Sequence, residues 1–261
     1  MTYWDFLLQD LDAKLLVFAR FLGIFAFNPM LSRKNLPAAV RVLTALAVTL
    51  GALTVIDVNP IDTVSTGVFA LMLLKEGFIG VVLGFVTQLF LSSTLLSGEI
   101  MDMQEGLSMS RIYDPGSGVQ MPLMGTVTSY MLYLLFFASN SHLTYIRLMT
   151  LSFDMIPIGE GGVNTSVWLV ITDYFVTALV LGLKLAMPML AAQMIMEVCM
   201  GILMKAVPQI QVMVVNMQMK MLLGLFLTVL FTPIFASFLD TVLDTMNDAL
   251  YNTLPAIIAQ S

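Results

Sequence analysis

Residues 64–97 read VSTGVFALMLLKEGFIGVVLGFVTQLFLSSTLLS, and residues 163–204 read VNTSVWLVITDYFVTALVLGLKLAMPMLAAQMIMEVCMGILM. Both are apolar runs of helix-forming length, and both overshoot the roughly 20 apolar residues of a single bilayer span. Each carries ionisable groups: Lys75 and Glu76 in the first, Asp173, Lys184 and Glu197 in the second. On insertion scales a Lys or Asp at a helix centre costs about 2.5–3.5 kcal/mol. Such groups therefore face protein or water and are functional candidates by default. Lys75 and Glu76 are adjacent, so they point about 100° apart on a helix and need separate partners. Pairing between helices or between subunits answers that need. A proton or ion pathway is the alternative, but the charges are scattered and do not form a relay.

Working outward, further apolar runs lie at about 15–31, 40–56, 122–138 and 210–239. The expected fold class is all-α, a multi-helix membrane-associated protein, with six spans as a first approximation. On that count Arg33, Lys34, Arg41, Arg111, Lys205 and Lys220 fall in loops on one side and Lys14 and Arg147 on the other. The positive-inside rule then puts both termini outside the cytoplasm. The two oversized runs break the simple count.

Composition excludes several classes. Of 261 residues, 59% are hydrophobic and 11% charged, against roughly 45–50% and 25% in soluble domains. A mean hydropathy of +0.93 fits a chain that hides its surface in lipid or partners. A net charge of -6 opposes nucleic-acid binding. The single cysteine, Cys199, excludes an internal disulfide and multi-Cys metal clusters, and its apolar surroundings predict a small buried packing residue. The single histidine, His142, follows Ser139-Asn140-Ser141 and reads as a helix-end or hydrogen-bonded residue. Residues 1–14, MTYWDFLLQDLDAK, carry three Asp where a secretory signal would carry Lys or Arg. Trp4, Leu7, Leu8, Leu11 and Leu15 instead follow helical spacing, an amphipathic entry into a membrane or partner surface.

The longest polar, Gly/Pro-rich stretch is 106–122, GLSMSRIYDPGSGVQMP. It follows Glu99, Asp102 and Glu105, whose three-residue spacing places them near one helix face. A solvated helix end is one reading; the other is a polar lining of an aqueous passage with the loop at its mouth. Irregular backbone at membrane depth is tolerated only where it is buried in protein or lines a cavity. Ser117 with His142 invites a serine-protease reading, but a nucleophile needs a positioned base and an oxyanion site, and Asp114-Pro115 makes Ser117 a turn residue. Of 22 methionines, Met101, Met103, Met109, Met121 and Met124 flank the loop, and ten more lie between Met187 and Met221. Adaptable thioethers suit gap-filling in helix packing or a deformable seal around a moving polypeptide.

These residues, taken in order, resemble the FliR/SctT export-gate proteins of flagellar and virulence type III secretion systems. The matching letters are Arg20-x-x-Gly23, Asn28-Pro29, Pro37 and Arg41, then Ser97-Gly98-Glu99-Ile100-Met101-Asp102-Met103-Gln104-Glu105-Gly106-Leu107-Ser108 and Tyr113-Asp114-Pro115-Gly116-Ser117-Gly118. Ser152-Phe153, Pro157-Ile158-Gly159, Pro188 and Gly201-Ile202-Leu203-Met204-Lys205-Ala206-Val207-Pro208-Gln209 continue the set over essentially the whole chain. After Pro208-Gln209 the family often has Asn-x-Phe and Gly-x-Pro, where this chain has Ile210-Gln211-Val212-Met213 and Asn216-Met217-Gln218.

The resemblance implies a non-enzymatic subunit, without cofactor or metal, of a gate built with several copies of FliP and FliQ and closed by FlhB. Its place would be the bacterial cytoplasmic membrane, in the flagellar basal body, among lipid. It would pass unfolded flagellar proteins, driven by the proton motive force and a separate ATPase. Residues 1–165 would be a FliP-like part and 166–261 a FliQ-like hairpin turned at Pro208 and Gln209. The loop would be the plug, with Gly106, Ser108, Arg111, Asp114, Pro115, Gly116, Ser117, Gly118 and Pro122 serving channel closure. Glu99, Asp102, Glu105, Lys75, Glu76, Lys184 and Glu197 would line the channel or meet other subunits. The alternatives are the homologous SctT subunit of an injectisome, or a self-contained ion-coupled transporter. The latter calls for paired broken helices or inverted repeats, and the sequence shows none.

Overall fold

The computed structural model describes residues 10–28, 37–56, 65–107, 122–159, 164, 166–206 and 212–257. Among the described residues all seven regular elements are α-helices: α1 Leu11–Ala26, α2 Ala38–Ala52, α3 Thr66–Glu105, α4 Leu123–Ala138, α5 Ser141–Met155, α6 Ser166–Ala206 and α7 Val212–Ile257. The all-α expectation holds. Each apolar run of the sequence becomes one helix, and the two oversized runs become α3 and α6, of 40 and 41 residues. With α7, of 46 residues, these helices are about 60–70 Å long at 1.5 Å per residue, twice the thickness of a hydrocarbon core. By length and composition α3, α6 and α7 are able to cross a membrane. Where the first approximation had six spans, the described residues form three long and four short helices. α5 lies outside the apolar runs. Asn140 adopts the left-handed conformation (φ 58°), ending α4 so that α5 starts one residue later; Asn tolerates that conformation better than most side chains.

The described chain divides into two compact units, and α3, α6 and α7 contribute to both. The first unit comprises Met1–Leu89, His142–Phe175 and Thr245–Ser261. In α1, Leu16, Val17, Phe21 and Ile24 are buried at i, i+1, i+5 and i+8, one face of a helix. They share this unit's core with Ile79, Leu83 and Val86 of α3, Phe153 of α5 and Leu250 and Leu254 of α7. α1 and α3 cross with backbones touching: a Cβ on Gly80 would meet the Arg20 carbonyl, and one on Gly84 the Ile24 carbonyl. Small residues at crossings are what membrane helices use, because dispersion contacts replace the hydrophobic drive that lipid cannot supply.

The first unit also buries a charge network. Arg20 is fully buried. Its Nε donates to Glu76 Oε2 at 2.6 Å, Nη1 to the Ser152 carbonyl at 2.8 Å and Nη2 to the Ile156 carbonyl at 3.0 Å. Its guanidinium carbon lies 4.0 Å from the centre of the Phe153 ring. The other oxygen of Glu76, Oε1, accepts the Gly159 N–H at 3.0 Å. One arginine thereby ties α1, α3 and the Ser152 and Ile156 carbonyls at the end of α5, of which Ser152 O also accepts the Ile156 N–H at 3.0 Å.

The second unit comprises Phe90–Ser141 and Val176–Asp244. Phe90 and Met101 of α3, Leu132 of α4, Leu185 and Met189 of α6 and Phe235 and Leu239 of α7 are buried in it. α3 and α4 cross through Gly98 and Gly125, where a Cβ on Gly98 would overlap the Gly125 backbone. A short polar seam follows that crossing: Thr128 Oγ1 donates to the Thr94 carbonyl at 3.1 Å, and the Thr94 and Ser129 hydroxyls are 3.3 Å apart. Cys199 corrects the sequence expectation. It is exposed, because burial on this turn of α6 goes to Met200, about 100° around the helix.

Candidate functional site

The site is built where α3 ends and α4 begins, the two sides of the 106–122 loop. Asp102 is 1% exposed, and its Oδ1 accepts the backbone N–H of Met124 at 3.0 Å. α4 follows Pro122, which offers no side-chain cap. Asp102 supplies that cap from another helix, and a carboxylate at a helix N-terminus also meets the positive end of the helix dipole. With the Gly98–Gly125 crossing, this clamps the two ends of the loop together. Gly106 takes φ +80° directly after α3, a left-handed turn that glycine adopts without steric cost.

Glu105 is also 1% exposed. Its side chain lies on the α7 backbone at Gly224, where a Cβ would collide with the carboxylate carbon. Neither of its oxygens has a hydrogen-bond partner among the described residues. Glu99, by contrast, is exposed. The three acids therefore do not act as one solvated face. Steps of three residues turn 300°, so Glu99 and Glu105 end up about 120° apart, and α4 and α7 cover the side that carries Asp102 and Glu105.

The remaining expected site residues are placed as follows. Glu76 is buried against Arg20, whereas Lys75 is half-buried. Glu197 is exposed on α6 and forms an ion pair with Lys220 of α7, next to Gln193, whose Nε2 donates to the Lys220 carbonyl at 3.1 Å. Lys184 is exposed in mid-α6. Pro122 immediately precedes α4. Ser108, Arg111, Asp114, Pro115, Gly116, Ser117 and Gly118, and likewise Pro208 and Gln209, lie outside the described residues. His142 sits in the first turn of α5, the helix-end position expected of it. Among the described residues no cluster of three or more His, Cys, Asp or Glu could hold a metal ion. The methionines divide between roles: Met101, Met124 and Met189 are core, while Met103, Met187, Met194, Met217, Met219 and Met221 are exposed.

Sequence reasoning passed over two residues. Arg20 stood only as a letter in a motif, although a lone arginine within LLVFARFLGIFAF carries the same signal as Lys75. Gly224 gave no signal, since what it accommodates is a side chain more than a hundred positions away.

The family model for bacterial export proteins, family 1, matches residues 11–246. The chain belongs to this family. Among its relatives, the flagellar biosynthetic protein FliR of Escherichia coli K12 is 30% identical over 196 residues, covering 75% of this chain and 74% of that one. The flagellar biosynthetic protein FliR of Bacillus subtilis 168 is 26% identical over 205 residues, 77% of this chain and 79% of its own. The FliR protein of Caulobacter vibrioides is 27% identical over 200 residues, 76% and 79% of the two chains. As a bacterial export protein of family 1 with flagellar relatives, the chain is a component of the flagellar export apparatus. Its family match runs through both flanks of the 106–122 loop.

Proposed function

We propose that this protein is a non-enzymatic structural subunit of the flagellar type III export gate in the bacterial cytoplasmic membrane, at the flagellar basal body. In this reading it assembles with several copies of FliP and FliQ, is closed by FlhB, and helps form the passage for unfolded flagellar proteins. Residues 1–165 act as the FliP-like part and 166–261 as the FliQ-like hairpin, turned at Pro208 and Gln209. The 106–122 loop closes the channel at rest. The observation that carries the reading is the clamp at its base, Asp102 on the α4 N-terminus beside the Gly98–Gly125 crossing. A segment that blocks a pore needs fixed ends, and here its two flanks, the end of α3 and the start of α4, are fixed to each other. The flagellar names of the relatives favour a flagellar gate over an injectisome.

The test is deletion of residues 110–118 in the assembled gate. Small-ion leakage across the membrane is expected to rise while the complex still purifies. Unchanged conductance together with unchanged export refutes the plug.

A further inference from the structure

Of the ionisable groups in the long apolar runs, Glu76 and Glu197 have their counter-charges within the chain, and Asp173 also makes an interaction. Lys184 does not: it is exposed and has no hydrogen bond or ion pair among the described residues. Its position makes that costly. Asp173 and Glu197 leave charge-free stretches of only ten residues before it (174–183) and twelve after it (185–196). A span needs about 20, so any crossing by α6 that avoids Asp173 and Glu197 carries Lys184 near its middle. Along the axis it lies about 16 Å from one and 20 Å from the other, too deep for its ammonium to snorkel to water. Lys75 differs, since it sits in the third turn of α3.

The surface around Lys184 is a helix-binding face. Val176, Val180, Leu183, Met187, Met194 and Val198 are all exposed, at steps of four, three, four, seven and four residues. That is the spacing of a seam along which a second helix packs. Lipid would satisfy the apolar members of this seam and leave the ammonium unsolvated; a helix bearing a carboxylate satisfies both.

We propose that this face of α6 docks a transmembrane helix of another gate subunit that carries an Asp or Glu opposite Lys184. The inference rests on the gate reading above and names the chemistry of one of its contacts. Loss of one partner from a buried charged pair costs enough to weaken association by an order of magnitude or more.

The experiment uses tagged full-length chain extracted from membranes with its partner subunits. Lys184→Glu is expected to lower recovery of those subunits about tenfold or more, with the chain's own membrane abundance unchanged, since the side chain is exposed and has no hydrogen bond or ion pair among the described residues. Reversing one partner carboxylate to Lys should restore recovery. A Lys184→Cys variant in the intact complex should resist a membrane-impermeant maleimide and form a disulfide with a cysteine placed at that partner position. Undiminished recovery of Lys184→Glu overturns the inference. So does rapid maleimide labelling, which would put the position in water, or a recovery that follows the anionic lipid content of the membrane, which would make the partner a headgroup. If the wild-type chain itself brings no other subunit with it, the gate reading fails; if it does and Lys184→Glu does too, only the docking inference fails.

Discussion

Arg20→Met isolates the buried charge network of the first unit. The substitution keeps a long apolar stem and removes four donated hydrogen bonds, to Glu76 at 2.6 Å, to the Ser152 and Ile156 carbonyls at 2.8 and 3.0 Å, and to the Ser152 hydroxyl at 3.3 Å. It leaves Glu76 fully buried, with the Gly159 N–H still donating to its Oε1. Breaking a buried pair by removing one member costs about 3–5 kcal/mol, because an uncompensated charge stays behind. For a chain of this size each kcal/mol is worth about 2–4 °C in melting midpoint, so a fall on the order of 10 °C is expected in detergent. Glu76→Met alone should cost a similar amount. The double variant should recover much of it, since an apolar replacement of a whole ion pair is often neutral. Recovery should stop short of wild type, by about 1–3 kcal/mol, because the Ile156 carbonyl loses its Arg20 donor in either background. Thermal unfolding of the four proteins in one detergent provides the double-mutant cycle. An Arg20→Met midpoint within 1–2 °C of wild type would refute the reasoning, and so would a double variant less stable than both single ones.

Gly98→Ala should abolish accumulation of folded chain in membranes, since its methyl would overlap the Gly125 backbone. Gly51→Ala, where a Cβ meets nothing within 4 Å, should be neutral or stabilising by up to about 1 kcal/mol in the same expression and melting assay. Asp102→Ala should cost about 0.5–2 kcal/mol through loss of the α4 cap, and by freeing one end of the loop it should raise ion leakage through the assembled gate. Leakage equal to wild type in a folded Asp102→Ala complex would separate the clamp from channel closure.

The helices were legible in the sequence because apolar runs and their breakers are local properties. Gly106, Pro122 and the run at 163–204 each declare a boundary or an element by composition alone. α5 escaped because Ser141–Met155 mixes His142, Arg147 and Asp154 with apolar residues, so hydropathy gave no run, and the left-handed Asn140 that starts it is invisible in a list of letters. Which face a residue uses was not legible. Glu99 and Asp102 are one turn apart and differ in burial because α4 covers one side of α3, and Cys199 differs from Met200 for the same kind of reason. Charges were legible as anomalies but not as pairs: Arg20 and Glu76 are 56 positions apart, and nothing local tells a buried, paired arginine from an exposed lysine.

The separation between Arg20 and its acceptors has a consequence in time. Synthesis proceeds at roughly 5–20 residues per second, so α1 leaves the ribosome about 3–11 s before Glu76 and about 7–27 s before Ile156, 136 positions downstream. Throughout that interval the guanidinium has neither its carboxylate nor its carbonyls, and a helix carrying it cannot settle in hydrocarbon. α1 must therefore wait, at the membrane surface or on another protein, until α3 and α5 exist to receive it. Among the described helices, the first to be made is among the last to be finished.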